Sequence, residues 1–160
     1  MKKGLFILAC LVFLSTDGQA QQWQNDLQIG LKEAAQQNKK VLLFFSVPER
    51  CESCNKLERN IFKSPEFIEF ASENYVLVKI DFSYEAEELS KEQLEKNLLI
   101  VEKYNKDGFF PHVVVLNKDA KITNKIGVYT RETPEQYLTL LQKKQQIIGE
   151  MYGNMNKFLS

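Results

Sequence analysis

The chain has 160 residues, with 21 basic and 21 acidic side chains, one histidine and three cysteines. That neutral balance argues against nucleic acid as a partner, and without repeats, low-complexity tracts or linkers the chain reads as one domain. Three cysteines, at positions 10, 51 and 54, are too few for the disulfide framework of a small secreted scaffold.

In chain order, Lys2 and Lys3 precede an apolar run from Leu5 to Leu14 and a short polar stretch closing in Gly18-Gln19-Ala20. This is the order of a secretory signal, so residues 1–20 are expected to leave by cleavage after Ala20, and 21–160 to form the mature domain. The run is far short of the roughly 20 apolar residues of a spanning helix, so no permanent membrane anchor is expected. Ile7-Leu8-Ala9-Cys10 resembles a bacterial lipoprotein cleavage site. Too few apolar residues precede Cys10, and the run continues past it, so anchoring through Cys10 is the weaker reading. Loss of Lys2, Lys3 and Asp17 with the signal takes the basic count from 21 to 19 and the acidic count from 21 to 20. Cys51 and Cys54 are then the only thiols.

Trp23, Leu27, Leu31, Ala34 and Ala35 recur at helical spacing, which predicts a first helix over 23–37 with Trp23 as a packing residue at its start. Val41–Val47 is a continuous apolar run, the pattern of a strand buried on both faces, and Pro48 stops it. A helix bearing the cysteines is expected to run to about Lys63, with Leu57, Ile61 and Phe62 inward. Ser64-Pro65 restarts a short helix as N-cap and first position, with Phe67, Ile68 and Phe70 inward. Tyr75–Phe82 reads as a second strand. A long helix over 85–105 follows, with Leu89, Leu94, Leu98, Val101 and Tyr104 on one stripe and Glu85, Glu87 and Glu88 at its positive dipole end. His112–Leu116, a turn at 117–120 and Lys121–Val128 form a hairpin. Thr133-Pro134-Glu135-Gln136 is a capping box that opens the last helix, which buries Tyr137, Leu140 and Leu141.

The chemistry concentrates at Cys51-Glu52-Ser53-Cys54, between the first long strand and a helix. Cysteines three apart on a first turn share one face. The leading one sits where unpaired backbone N–H groups and the helix dipole favour a thiolate. A thiolate attacks disulfides, and a neighbour one turn away resolves the mixed disulfide. A bridge closing so short a loop stabilises weakly, so reactivity explains the pair better than stability does.

CxxC after the first strand, with Pro111 opening a later strand, resembles the thioredoxin superfamily over roughly residues 24–144. Leu57-Glu58, Phe62-x-Ser64-Pro65-x-Phe67 and Asn74-Tyr75-Val76-x-Val78-x-x-Asp81 are similar to secreted bacterial thioredoxin-like proteins related to the C-terminal domain of the periplasmic disulfide reductase DsbD. The resemblance implies an α/β thioredoxin-like fold with a central mixed sheet of about four strands flanked by helices. It implies a periplasmic or secreted thiol–disulfide oxidoreductase, with reductase favoured over oxidase, that needs no prosthetic group. Partners would be proteins bearing disulfides or thiols and a second protein that recharges the pair; a monomer is expected. Cys51 would be the nucleophile and Cys54 the resolving thiol. Pro111 would be cis and face the pair, with Phe110 before it lending backbone groups to an extended substrate segment.

Three positions depart from the family pattern. Arg50 stands where thioredoxins have tryptophan, Glu52-Ser53 where a proline is usual, and Phe44 where they bury an acid. Arg50 should lower the Cys51 pKa and Glu52 should raise it. The task of the missing acid passes to water or to Glu58, which reads equally as a surface residue. Two other functions compete: capture of Cu(I) or Zn(II) by Cys51, Cys54 and His112, and partner binding by a thioredoxin-like protein without catalysis.

Overall fold

The computed structural model describes residues 22–47, 49–82 and 90–143. The elements are β1 (Trp23–Gln24), α1 (Leu27–Gln37), β2 (Lys40–Ser46), α2 (Glu52–Leu57), a π-helical turn (Glu58–Phe62), α3 (Pro65–Asn74), β3 (Tyr75–Asp81), α4 (Lys91–Tyr104), β4 (His112–Leu116), β5 (Ile122–Ile126) and α5 (Pro134–Gln142). The expected signal segment lies outside the described residues.

Five strands form one sheet in the order β1-β3-β2-β4-β5. β1 and β2 run parallel to β3, while β4 is antiparallel to both β2 and β5. The mixed α/β sheet expected from the resemblance is present, with one strand more than the four anticipated. The extra strand is β1, where a helix start was expected. Helix α1 begins only at Asp26, whose side chain accepts hydrogen bonds from the Gln28 and Ile29 N–H groups. Trp23 lies before that cap, pairs with Leu77, and packs its ring against Phe44 and Phe62 at centroid distances of 5.9 and 5.1 Å.

The core divides between the faces of the sheet. Leu42, Phe44, Leu77, Val113 and Val115 face α2, α3 and α5, together with Cys51, Cys54, Leu57, Ile61, Phe62, Phe67 and Tyr137. Val41, Leu43, Phe45, Val76, Val78, Ile80 and Val114 face α1 and the end of α4. β2 is thus buried on both sides, as its unbroken apolar run requires.

Helix α4 corrects the expected apolar stripe. Leu94 and Leu98 are exposed, Leu98 by 53%. Val101 and Tyr104 of that stripe do turn inward, joined by Asn97 and Ile100 in place of the two leucines. The Tyr104 hydroxyl donates to the Ala120 carbonyl at 2.9 Å and ties the end of the helix to the turn before β5, while Gln93 donates to Asn97 at 2.9 Å within the helix. Leu89 and the acidic residues at 85–88 lie outside the described residues. In α5 the capping box forms as expected, with Tyr137 and Leu141 buried and Leu140 half-buried.

Candidate functional site

Cys51 is the N-cap of α2 and is bonded to Cys54, with an S–S distance of 2.02 Å and a Cα–Cα distance of 5.2 Å. The two sulfurs differ in access: Cys51 retains 9% exposure and Cys54 has none. The Cys54 N–H donates to Cys51 Sγ at 3.0 Å, one of the amides that a helix's first turn leaves unpaired. Ser53 Oγ lies 3.4 Å from the same sulfur. Sequence spacing placed both cysteines within the helix; in fact Cys51 sits one position earlier, where its side chain can cap.

Past the pair, the helix opens into its π turn. Ile61 and Phe62 follow Leu57 by four and five residues, and all three are buried. The wider turn lets two adjacent side chains enter the core beneath the cysteines.

An open groove of about 640 Å³ runs beside Cys51. Arg50, Glu52, Ser53 and Lys56 form its helix side, and Gly108, Phe109 and Phe110 its opposite wall. Tyr129 and Arg131 complete it from the loop between β5 and α5. Of the expected site residues, Arg50, Cys51, Glu52 and Phe110 therefore meet on this groove. Cys54 lies beneath it, and Pro111 is buried behind Phe110. The Phe110–Pro111 peptide is cis. The preceding turn is fastened by Asn105, whose side-chain N–H donates to the Phe109 carbonyl at 2.9 Å, while Gly108 takes φ +65.

Glu52 does not turn towards Cys51. Its carboxylate meets Lys56 at 2.7 Å, and that contact holds it below the usual carboxylate range. Tyr129 and Arg131 were not foreseen, because their segment reads as the end of a strand and the topology alone brings it to the cysteines. Arg131 has φ +77, a left-handed conformation rare outside glycine. Glu132 holds that loop by accepting from the Thr130 N–H at 2.9 Å and from its hydroxyl.

On the cysteine side of the sheet, Phe44 stands fully buried where the family's acid would lie. Lys79, its register partner on β3, sits 5.8 Å from the centre of its ring. Lys79 reaches Glu58 at 2.8 Å and Asp81 at 3.1 Å. Burial opposes the lysine's charge, but the two carboxylates outweigh it and hold its pKa above the ordinary value. Burial pushes the Asp81 carboxyl up despite Lys79. Glu58 is thus neither free nor fully solvated, but one arm of a half-buried cluster.

His112 occupies the other face. Its ring lies 5.9 Å from that of Phe45, and Nε2 is 3.2 Å from the Tyr104 carbonyl. Phe45 and Tyr104 both belong to the core on the α1 side, away from the cysteines. No group of three His, Cys, Asp or Glu able to hold a metal forms among the described residues. The donor set of Cys51, Cys54 and His112 is therefore not assembled.

A family model for the thioredoxin-like domain matches residues 27–145. A curated relative, the disulfide bond reductase DsbH of Chlamydia pneumoniae, is 29% identical over 106 residues, covering 66% of this chain and 62% of that protein's length. Among solved structures, a DsbH oxidoreductase aligns with a TM-score of 0.67 at 26% identity, covering 76% of this chain and 81% of the other. The oxidised C-terminal domain of DsbD from Neisseria meningitidis aligns with a TM-score of 0.55 at 16% identity, covering 78% of this chain and 100% of the domain, a likeness of fold. With a paired Cys51 and Cys54 at the start of α2, the chain belongs to the thioredoxin-like domain family.

Proposed function

We propose that this chain is a secreted, periplasmic thiol–disulfide oxidoreductase that reduces protein disulfides. The observation that carries the reading is the asymmetry of the pair: one sulfur opens onto a groove and the other is enclosed behind it. In the dithiol form, the Cys51 thiolate attacks one sulfur of a substrate disulfide. A Cys51–substrate disulfide forms and the substrate's other sulfur leaves as a thiolate, which takes a proton. The Cys54 thiolate then attacks Cys51 Sγ, closing the internal disulfide and releasing the second substrate thiolate. Two electrons pass from the protein to the substrate, and a separate reducing protein restores the dithiol.

The Cys54 N–H and the Ser53 hydroxyl are placed to stabilise the attacking thiolate, since hydrogen bonds to a charged form favour it. Arg50 adds positive charge, and Glu52, drawn to Lys56, opposes it less than its sequence position suggests. Glu58, one turn beyond Cys54, is the candidate for taking the Cys54 proton. Phe110 and Pro111 form the backbone edge on which an extended substrate would lie. The reducing direction is supported by the relative from Chlamydia pneumoniae, a disulfide bond reductase. The leader-like residues 1–20 support export, and the protein acts as a monomer.

Single substitutions test the assignment. Cys51→Ser should abolish reduction of a protein disulfide, while Cys54→Ser should accumulate a covalent complex with substrate, visible on a non-reducing gel. Undiminished reduction by Cys51→Ser would overturn it.

A further inference from the structure

The charges around the groove are uneven although the chain as a whole is neutral. Arg50, Lys56 and Arg131 line it with Glu52 as the only acid among the described lining residues, and Glu52 is bonded to Lys56. Positive charge thus collects beside the one accessible sulfur. Opposite it stands an apolar wall made by Phe109, which is 60% exposed, and the half-buried Phe110.

We propose that the groove selects an extended protein segment carrying Asp or Glu beside its reacting cysteine, with an apolar residue set against Phe109 and Phe110. This rests on the oxidoreductase reading and names its substrate class. Complementary charge raises the encounter rate and fixes the register of the bound segment, and salt weakens it. Arg131 is the specificity-determining residue from outside the CxxC helix. Lys56 acts twice, as a cation of the groove and as the partner that neutralises Glu52.

The test uses the reduced protein and three seven-residue peptides, each with a central cysteine carried as its 2-pyridyl disulfide and flanked by Glu, Gln or Lys. Attack by Cys51 on the peptide sulfur forms the mixed disulfide and releases pyridine-2-thione, whose absorbance gives the rate. Each rate is divided by that of the same peptide with 2-mercaptoethanol, which removes the peptide's own reactivity. At about 20 mM salt the Glu peptide should outpace the Lys peptide about tenfold, and the ratio should fall towards one at about 500 mM. Arg131→Gln should lower the low-salt ratio about threefold, and Arg131→Lys should restore it. Lys56→Gln should lower it further, because it also leaves Glu52 unpaired. Equal normalised rates, a preference for Lys, or a ratio indifferent to salt and to both substitutions would overturn the selection while leaving the activity in place. No thione release from any peptide would overturn the oxidoreductase reading itself.

Discussion

At Cys51 the surroundings of the sulfur are made largely by its own helix. The position caps α2, so a backbone amide reaches Sγ without help from a distant side chain. That much was legible in the CxxC spacing, with Arg50 beside it in sequence, whereas Phe110 was expected there only from the family resemblance. Tyr129 and Arg131 were not, since nothing in a single sequence links them to residues some eighty positions earlier. His112 looked like a third metal ligand only because it follows Pro111. Strand alternation puts it on the opposite face from the cysteines, against Phe45. There it has a different consequence. Burial pushes its pKa below the ordinary 6.5, outweighing the Tyr104 carbonyl. The folded chain resists a proton that the unfolded chain accepts. His112 therefore contributes stability present above about pH 6.5 and lost as pH falls through its folded pKa. His112→Gln should flatten the decline in stability between about pH 6.5 and 5 relative to the parent chain in urea titrations. Identical slopes in the two proteins would contradict this account of the histidine.

Among the elements, β2, β3, β4, α3 and α5 followed from apolar runs and caps, because their signals are local. Three features did not. β1 is two residues long and exists through its pairing with Leu77 and Val78, which periodicity does not register. The π turn depends on how Ile61 and Phe62 share the core with Leu57. In α4, Val101 and Tyr104 of the expected stripe turn inward, but Asn97 joins them and Leu94 and Leu98 remain in solvent. Helix α1 carries the clearest test at this scale. A Cβ at Gly30 would collide with the Val78 side chain, so the glycine is what lets α1 lie close on β3. In an exposed helix, Gly→Ala stabilises by roughly 0.5–1 kcal/mol. Here Gly30→Ala should destabilise by about 1–3 kcal/mol, the cost of overpacking, measured as a lower denaturant midpoint. A midpoint raised by the substitution would show that the helix is not pressed against the strand.

For the whole molecule, the sheet order determines which segments meet the cysteines. Antiparallel pairing of β4 with β2 sets the 108–111 loop opposite the start of α2, and β5 returns the chain so that Tyr129 and Arg131 close the groove. Composition and periodicity alone indicated only an α/β domain; the family resemblance added Phe110 and Pro111 opposite the cysteines, and only the fold itself brings Tyr129 and Arg131 there, since that depends on contacts between distant segments. The proposed reductase function requires that the pair donate electrons to protein disulfides. Its most direct test is the reduction potential of Cys51–Cys54 in the 21–160 protein, equilibrated with graded thiol buffers and quenched by alkylation. The expected value is about −230 mV or lower, in the range of reducing thioredoxin-like proteins. A value near about −120 mV would make the protein an oxidant, and failure of the pair to close at any poise would remove the redox function altogether.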